Sequence, residues 1–370
     1  MKRQNRNAGF IVLFLTAAAL IGCSAATDTG SVKAGTGIKA STEIGCAQRS
    51  DPRVKAMSDD GIGLTSTLGL AAGRYALPAS DAPTQLVVMF HGHGNDSCSW
   101  RNHLRQAAAR GAVAIAMDYT GQRDVVLEPY GLVENYGWFM RAGAADSIAA
   151  SKLFLARYPT ITQVFAMGIS MGANASGVAV ASSDAVRADG TPLFDYWVAV
   201  EGVHNLTEEY SIARAIAPVN AGGALAVQEI EEENGGPFED VPDRFLDITN
   251  VARVGDMTGL KGVVLVHALD DGLVPSNQSW EMAAALNAVG VPAHFYPVFG
   301  SGGEESGTTF TAIPAGPVAA AAGQEYESPF AGHGWEGSDT QIVIETGFDQ
   351  LFALMAGGTV SEGVTPVPGI

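Results

Sequence analysis

The stretch Val164-Phe-Ala-Met-Gly-Ile-Ser-Met-Gly-Ala-Asn-Ala-Ser-Gly-Val-Ala-Val180 decides the fold of this chain. A short apolar run leads into Gly168-Ile169-Ser170-Met171-Gly172, and a run of small residues with helical character follows. This order predicts a strand, a sharp turn and a helix, with Ser170 at the tip of the turn. Bulky side chains two residues before or after the serine would collide with the strand or the helix. The pattern is typical of a serine nucleophile exposed above a sheet edge.

A bare Gly-x-Ser-x-Gly also arises by chance in a chain with 45 glycines, so the surrounding sequence decides its meaning. Apolar runs of strand length alternate with helix-like runs on both sides of it. Continuous apolar strands between helices indicate a parallel sheet with both faces covered, and hence an α/β fold. The predicted strands are 73–78 (at the sheet edge), 85–90, 113–117, 163–167, 196–200, 262–267 and 293–298, and the predicted helices are 100–110, 144–158, 278–289 and 340–355.

The N-terminal sequence has the features of an export signal. Three basic residues lie within the first six, and the run 10–21 is largely apolar but too short to remain as a membrane-spanning helix. Leu20-Ile21-Gly22-Cys23 resembles a bacterial lipobox, which implies cleavage of a signal peptide over 1–22 and diacylation of Cys23. An ordinary secretory signal with a chance cysteine is the alternative. Residues 23–45 are mostly Ser, Thr, Ala and Gly and predict a flexible tether.

The charge of the chain is strongly acidic. It has 21 lysines and arginines against 39 aspartates and glutamates, for a net charge of −18. So acidic a surface repels nucleic acid and anionic lipid, so no nucleic-acid partner is expected. The expected contact with a membrane is therefore through the lipid on Cys23, in the cell envelope outside the cytoplasm.

Two cysteines remain after lipidation, Cys46 and Cys98. Outside the cytoplasm such a pair predicts a disulfide, which would join the start of the fold to the loop after strand 85–90. Neither cysteine lies in a sequence typical of a catalytic nucleophile.

About sixty residues separate the strand that ends near residue 201 from the one that begins at 262, which is too long for a simple crossover. Helix-like pieces at 206–215 and 224–233 predict an inserted helical cap over about 204–260. One ordinary helix with a long loop is the alternative. The main folded domain is predicted over 46–356. Residues 357–370 are rich in glycine and proline and are predicted to form a flexible tail.

A serine hydroxyl needs a histidine base, and the histidine needs a carboxylate that fixes its tautomer. Two later segments of the chain offer these groups. The run 263–275 is an apolar strand followed by an acidic turn with Asp270 and Asp271. Gly332-His333-Gly334-Trp335 precedes the last predicted helix. The chain order is therefore serine, acid, histidine.

With these residues the chain resembles the α/β-hydrolase superfamily over roughly residues 70–356. The acidic turn is similar to the pattern His-Gly-x-x-Asp-x-x-Val-Pro of prolyl oligopeptidase-like and esterase-like members, with Ala268 in place of the glycine. The register of the pattern implies that Asp271, and not its neighbour Asp270, is the acid of the catalytic triad. The matching residues are His267, Asp271, Val274 and Pro275.

The segment around His333 resembles another group of the same superfamily. Gly332-His333-Gly334-Trp335 is similar to the Gly-His-x-Trp motif of feruloyl esterases and polyhydroxybutyrate depolymerases. Residues 73–78 look like the edge strand of that group. The chain departs from it at Ala173, where a further glycine usually follows the serine motif.

The loop Phe90-His91-Gly92-His93-Gly94 follows the strand at 85–90 and is similar to the His-Gly oxyanion loop of the superfamily. The resemblance implies that the backbone N–H groups of His93 and Met171 bind the oxyanion of the tetrahedral intermediate.

A metal site is the rival interpretation of this loop, because His91 and His93 are followed by Asp96. A metallohydrolase pattern needs the aspartate one position earlier, where Asn95 stands, so no metal ligand is predicted. The other histidines are interpreted as structural, and the aromatic residues at 136–139 as either pocket or core. These residues are His103, His204, His267 and His294, with Tyr136, Trp138 and Phe139.

Together these features predict a secreted, lipid-anchored serine hydrolase that cleaves a small or polymeric carboxylic ester through an acyl-enzyme, without a cofactor. Ser170 attacks, His333 relays the proton and Asp271 orients His333. A peptidase of the prolyl oligopeptidase type is the alternative, although the residues before 70 are too few for a propeller domain. A non-catalytic binding protein on the same fold is a third possibility.

Overall fold

A computed structural model describes residues 37–38, 59–66, 69–127, 132–218, 221–299, 309–311, 325–327, 332–334, 336, 338 and 340–369. The predicted signal peptide, Cys23 and Cys46 lie outside these residues.

The described residues form strands and helices that alternate along most of the chain. The strands are β1 (Gly37–Ile38), β2 (Asp59–Ser66), β3 (Gly69–Ala76), β4 (Gln85–Phe90), β5 (Ala112–Met117), β6 (Arg123–Leu127), β7 (Leu132–Tyr136), β8 (Gln163–Ile169), β9 (Tyr196–Val200), β10 (Gly262–Ala268), β11 (Ala293–Phe299), β12 (Thr309–Thr311), β13 (Glu325–Glu327), β14 (Gly363–Val364) and β15 (Val367–Pro368). The helices are α1 (Arg101–Ala109), α2 (Met140–Arg157), α3 (Met171–Val180), α4 (Leu206–Ile216), α5 (Ala221–Asn234), α6 (Pro242–Leu246), α7 (Asn277–Ala288) and α8 (Ile342–Met355), with 3-10 helices at Ser97–Trp100 and Asn250–Met257.

One eleven-stranded sheet organises the molecule, in the order β1-β2-β3-β5-β4-β8-β9-β10-β11-β14, with β15 also paired to β11. Every pair from β5 to β11 is parallel, whereas β1, β2 and β3 pair antiparallel with their neighbours. Parallel strands need crossovers, and the helices supply them. The predicted mostly parallel α/β-hydrolase sheet is confirmed.

Both faces of the sheet are buried, which explains why its strands are continuous apolar runs. Side chains along a strand alternate between faces. In β4, Leu86 and Val88 join the core under α2, α3 and α7, while Val87 and Met89 join the core under α1 and α8. The predicted helices on both faces are confirmed.

The two edges of the sheet differ from the prediction. Strand β3, predicted at the edge, is covered by β2, which the sequence analysis missed because Asp59–Ser66 is polar and rich in glycine. Residues 37–38, within the predicted tether, pair with β2. At the other edge β14 and β15 pair with β11, so the segment predicted as a flexible tail forms two short strands instead.

The inserted segment between β9 and β10 contains α4, α5, α6 and the 3-10 helix Asn250–Met257. Helix α4 is preceded by Asn205, whose side chain accepts a hydrogen bond from the backbone N–H of Glu208 and so caps the helix. Tyr210 of α4 packs on Phe245 of α6 with 4.9 Å between ring centroids. Both rings are buried, so the insertion has its own apolar contacts and joins the core on the α3 face of the sheet.

Candidate active site

Ser170 lies between β8 and α3 with φ 53° and ψ −125°, a conformation that is strained for a residue with a side chain. A Cβ at Gly168 would collide with the backbone of Gly172, and a Cβ at Gly172 would collide with the carbonyl oxygens of Phe90 and His91. The Gly-x-Ser-x-Gly spacing therefore reflects the close approach of helix, strand and neighbouring loop at this turn. The serine is half-buried at the carboxyl end of the sheet.

Asp271 and His333 meet at the same end of the sheet. The distance between Asp271 Oδ2 and His333 Nδ1 is 2.8 Å, and both side chains are buried. The other carboxylate oxygen, Oδ1, accepts hydrogen bonds from the backbone N–H groups of Leu273 and Val274, at 2.8 and 3.0 Å. Asp270 is exposed to solvent. The structure thus brings Asp271 to His333, as the sequence register implied.

His267 supports Asp271 from the end of β10. Its Nε2 lies 2.9 Å from the carbonyl oxygen of Val274 and 3.2 Å from Asp271 Oδ2, and its Nδ1 lies 2.8 Å from Ser279 Oγ. The sequence analysis assigned His267 only a structural role at the strand end. Its ring also fixes the acid. Burial works to raise the pKa of Asp271, but His333 and His267 hold that pKa well below its usual value.

Glu201 is a functional candidate that the sequence analysis did not identify. It follows β9 directly, its side chain is completely buried, and its Oε2 lies 3.6 Å from His333 Nδ1. The same oxygen accepts a hydrogen bond of 2.5 Å from the backbone N–H of Gly334. A carboxylate directly after a buried parallel strand, next to the strand of the serine, was the signal that could have revealed it.

The electrostatics of this cluster favour a charged imidazole. Burial alone would lower the pKa of His333, but Asp271 and Glu201 raise it to about 9. Burial and the neighbouring Asp271 raise the pKa of Glu201 to about 8. The three side chains form one coupled group in which each protonation state depends on the others.

The predicted oxyanion residues belong to two segments that meet at the serine turn. Met171 is the first residue of α3, and His93 lies in the loop after β4 whose carbonyl groups pack against the serine turn. Glu336 joins this loop to the segment of His333, because its carboxylate accepts hydrogen bonds from the backbone N–H of Gly92 and, at 2.8 Å, from the Asn95 side chain. The sequence analysis missed Glu336, which has no recognisable motif.

The side chain of His93 is held by the inserted helices. Its Nε2 lies 2.5 Å from Glu229 Oε2 of α5, and the other carboxylate oxygen of Glu229 accepts a hydrogen bond of 3.1 Å from the backbone N–H of Gly137. Glu229 is fully buried. The insertion therefore contacts the oxyanion loop directly, which places it beside the candidate site.

Comparison with known proteins identifies the family. Residues 97–303, more than half of the chain, match the prolyl oligopeptidase family. This chain belongs to the prolyl oligopeptidase family. The predicted membership of the α/β-hydrolase superfamily is thereby confirmed. No curated protein sequence matches the chain significantly.

Solved structures similar to this prolyl oligopeptidase family member include peptidases and an esterase. A puromycin-hydrolyzing peptidase of Mycobacterium tuberculosis has a TM-score of 0.53 and 15% identity, covering 85% of this chain and 41% of that one. Pyrococcus horikoshii acylaminoacyl peptidase has a TM-score of 0.50 and 15% identity, covering 66% and 37%. Carboxyl esterase 2 of Tuber melanosporum has a TM-score of 0.49 and 21% identity, covering 68% and 78%. The chain spans less than half the length of the two peptidases, and at such identities the two peptidase matches show the fold alone.

The histidine loop of this family member does not form the arrangement that the metal interpretation requires. His91 stacks on Tyr119 with 4.0 Å between ring centroids, and its Nδ1 lies 3.0 Å from the carbonyl oxygen of Gly92. Asp96 accepts a hydrogen bond of 2.7 Å from the backbone N–H of Cys98. With His93 held by the inserted helices, each of the three side chains has a different protein partner.

The aromatic segment that begins at the last residue of β7 lies near the oxyanion loop. The Trp138 ring centroid is 5.9 Å from that of His93, and its Nε1–H points to Asn174 Oδ1 at 3.4 Å. Tyr136 donates its hydroxyl to Glu232 at 2.5 Å. Tyr136 and Trp138 are buried and Phe139 is half-buried, so this segment packs into the core beside the site.

Cys98 lies in the 3-10 helix after the oxyanion loop, where Nε of Arg74 contacts its Sγ at 3.2 Å. Because Cys46 lies outside the described residues, the Cys46–Cys98 disulfide stays a prediction.

Proposed function

We propose that this chain is a serine hydrolase that cleaves carboxylic esters through an acyl-enzyme intermediate. The observation that carries the proposal is the hydrogen bond of 2.8 Å between Asp271 and His333, at the same end of the sheet as the strained turn of Ser170. In the neutral imidazole, a carboxylate that accepts from Nδ1–H leaves Nε2 unprotonated and able to accept a proton from a hydroxyl. The family membership supports hydrolysis as the reaction class.

In this mechanism Ser170 attacks the carbonyl carbon of the ester while His333 takes the hydroxyl proton. The N–H groups of Met171 and His93 donate hydrogen bonds to the oxyanion of the tetrahedral intermediate. His333 then gives the proton to the leaving alcohol, and water repeats the sequence to release the acid. Asp271 keeps the imidazole in its tautomer and stabilises its charged form. No step requires a cofactor.

The choice of an ester substrate rests on Gly332-His333-Gly334-Trp335, which is similar to the motif of feruloyl esterases and polyhydroxybutyrate depolymerases. The prolyl oligopeptidase family favours a second candidate, a serine peptidase. Both reactions use the same triad and differ in the leaving group.

A substrate panel separates these candidates. We expect p-nitrophenyl esters of increasing acyl length to be hydrolysed with a kcat/KM at least about 100-fold above that for aminoacyl p-nitroanilides. A higher kcat/KM for the anilides would contradict the esterase proposal and favour the peptidase. Failure of both, with intact folding, would favour a non-catalytic binding protein.

We also propose that the protein is an envelope lipoprotein acylated on Cys23. The support is the N-terminal sequence, with its basic start, short apolar run and Leu20-Ile21-Gly22-Cys23. Within the part of the chain that the structure describes, no helix is both long and apolar enough to cross a membrane. A Cys23→Ser variant should leave the membrane fraction or stay unprocessed, and wild-type protein cleaved elsewhere and free of lipid would contradict the proposal.

A further inference from the structure

Glu201 is a buried acidic residue 3.6 Å from Nδ1 of His333, and the proposed mechanism gives it no role. It occupies the position directly after β9, as Ser170 does after β8, and these two strands pair in parallel. Among the described residues other than glycine, Ser170 and Glu201 have positive φ values, 53° and 48°. Such backbone strain persists where the surrounding structure imposes it, often at a functional site. From this strained turn, the carboxyl group of Glu201 reaches the segment of His333 and Gly334.

The contacts of Glu201 link two segments that carry the proposed triad. Its Oε2 accepts the hydrogen bond from Gly334, the residue after His333, and its Oε1 accepts a longer one of 3.4 Å from the backbone N–H of Ala268 at the end of β10. Asp271 follows Ala268 by three residues. One carboxyl group therefore contacts both the segment of the base and the strand end that leads to the acid.

The side chains of Glu201, Asp271 and His333 converge here, since one oxygen or nitrogen atom of each lies within 4.8 Å of the others. The short distance of 2.8 Å indicates that the Nδ1–H group of His333 donates its hydrogen bond to Asp271. Glu201 lies 3.6 Å from the same nitrogen, too far for a good hydrogen bond but close enough for a strong charge interaction in a buried site.

We propose that Glu201 is a positioning residue that fixes the segment of His333 and shares with Asp271 the stabilisation of the imidazolium. The inference rests on the proposed function, in which His333 becomes charged when it takes the proton from Ser170. The Nδ1 proton stays on His333 throughout, and no proton passes to either carboxylate. Glu201 acts through the histidine and needs no contact with the substrate.

The interaction between Glu201 and His333 should affect the pH dependence of activity, which can be measured. Glu201 faces Asp271, His333 and two backbone N–H groups. The other groups that influence the cluster are His267, Glu209 and Glu336. Glu201 contributes to the raised pKa of His333, so its neutralisation should lower that pKa. Since the neutral imidazole is the base, the rising limb of kcat/KM should move to lower pH.

Glu201→Gln is the central test, because the amide oxygen still accepts the Gly334 hydrogen bond while the charge is removed. We expect kcat to fall about tenfold with little change in KM, and the limb of the pH profile to move down by about one pH unit. Glu209→Gln is the matched control. Glu209 is buried and its pKa is also raised to about 8 by burial, but its Oε2 contacts the Gln278 side chain, 3.4 Å from Nε2. This variant should change both quantities much less.

The double variant tests whether the two carboxylates act on the same group. In Asp271→Asn, Glu201 is the carboxylate left beside Nδ1, so adding Glu201→Gln should cost at least about 100-fold there, against about tenfold in the wild type. Asp271→Asn alone should lose about 10² to 10³ in kcat, less than the roughly 10⁴ of a triad with one acid.

Additive losses together with an unmoved pH limb would overturn the inference. If Glu201→Gln does not fold, as thermal unfolding would show, Asp271→Asn decides alone, and a loss of about 10⁴ or more contradicts a role for Glu201. Ser170→Ala distinguishes a failure of the proposed hydrolase function from a failure of the proposed role of Glu201. Full activity in that variant refutes the proposed function, whereas an inactive Ser170→Ala with normal Glu201→Gln kinetics refutes only the further inference.

Discussion

Ser170 combines backbone strain with a position that no other described serine shares. Its positive φ turns the chain from β8 into α3 within one residue, and its own carbonyl oxygen accepts hydrogen bonds from the first turn of that helix and from Val203. The hydroxyl needs no part in holding this turn. The proposed role of the hydroxyl is chemical, so its removal should affect turnover more than folding.

Ser170→Ala should abolish labelling by a fluorophosphonate probe and lower kcat by roughly 10⁴ to 10⁶, because the variant lacks the hydroxyl of the proposed nucleophile. Thermal unfolding should change little. Ser183→Ala, at an exposed serine after α3, is the control and should label like the wild type. Persistent labelling of Ser170→Ala would mean that the nucleophile lies elsewhere.

The assignment of Asp271, and not Asp270, as the acid that pairs with His333 can be tested by substitution. Asp271→Asn should lose at least about 100-fold in kcat, because an amide favours the wrong tautomer of His333 and no longer stabilises its charged form. Asp270→Asn should stay within about threefold of the wild type, since its side chain is exposed. Steady-state kinetics of both variants decide between them. An inactive Asp270→Asn beside an active Asp271→Asn would reverse the assignment.

At the scale of elements, the parallel strands were predictable because both of their faces are buried. Strand β4 was predicted with its observed bounds, and β9 likewise, because apolar residues continue to the last position. The hairpin of β6 and β7 was missed because Arg123–Leu127 and Leu132–Tyr136 lack such a run. A continuous apolar run thus predicts a strand that is buried on both faces, and the sequence of the hairpin contains no such run.

The candidate site was predicted in the parts that follow motifs. Asp271 and His333 lie in recognisable patterns, and the structure brings them together. Glu201 and Glu229 lie in no recognisable motif, and their contacts span 133 and 136 residues of sequence separation. Such pairs depend on the packing of the insertion and the loops, which periodicity does not reveal.

The turn around the serine leads to a prediction for Gly172. In Gly172→Ala the added Cβ would collide with backbone oxygen atoms of the oxyanion loop. Backbone cannot give way as a flexible side chain can, so we expect a loss of about 1–3 kcal/mol in the free energy of unfolding and a marked fall in kcat. Gly255→Ala is the matched control, because its Cβ would meet no atom within 4 Å. Equal unfolding midpoints for the two variants would show that the loop can move aside.

For the molecule as a whole, the buried charges determine the response to pH. His333 must be neutral to act as a base, and the two carboxylates hold its pKa at about 9. The value of kcat/KM should therefore rise with pH through this region and reach its plateau on the alkaline side. A plateau reached below pH 7 would contradict the buried carboxylate pair, and measurements from about pH 6 to 10 would show either result.

The raised pKa of His333 also makes the stability of the fold depend on pH. A folded-state pKa above the unfolded value means that protonated His333 stabilises the fold fully below about pH 6.5 and loses this contribution as pH rises through about 9. The enzyme should thus be most active where this one contribution to stability is lost.

The strands of the C-terminal segment carry a consequence for association between copies of the protein. They cover the outer edge of β11, and His294 of that strand contacts both the carbonyl oxygen of Ser361 and the hydroxyl of Thr365, at 2.9 and 2.8 Å. Pro366 and Pro368 are exposed and have no N–H donors, so a further strand would find few hydrogen bonds at this edge. Deleting residues 357–370 should expose the β11 edge and cause self-association of the truncated protein, visible as earlier elution in size-exclusion chromatography with Ser170 still reactive. A truncated chain that stays monomeric at high concentration would show that the C-terminal segment is not needed to prevent association through the β11 edge.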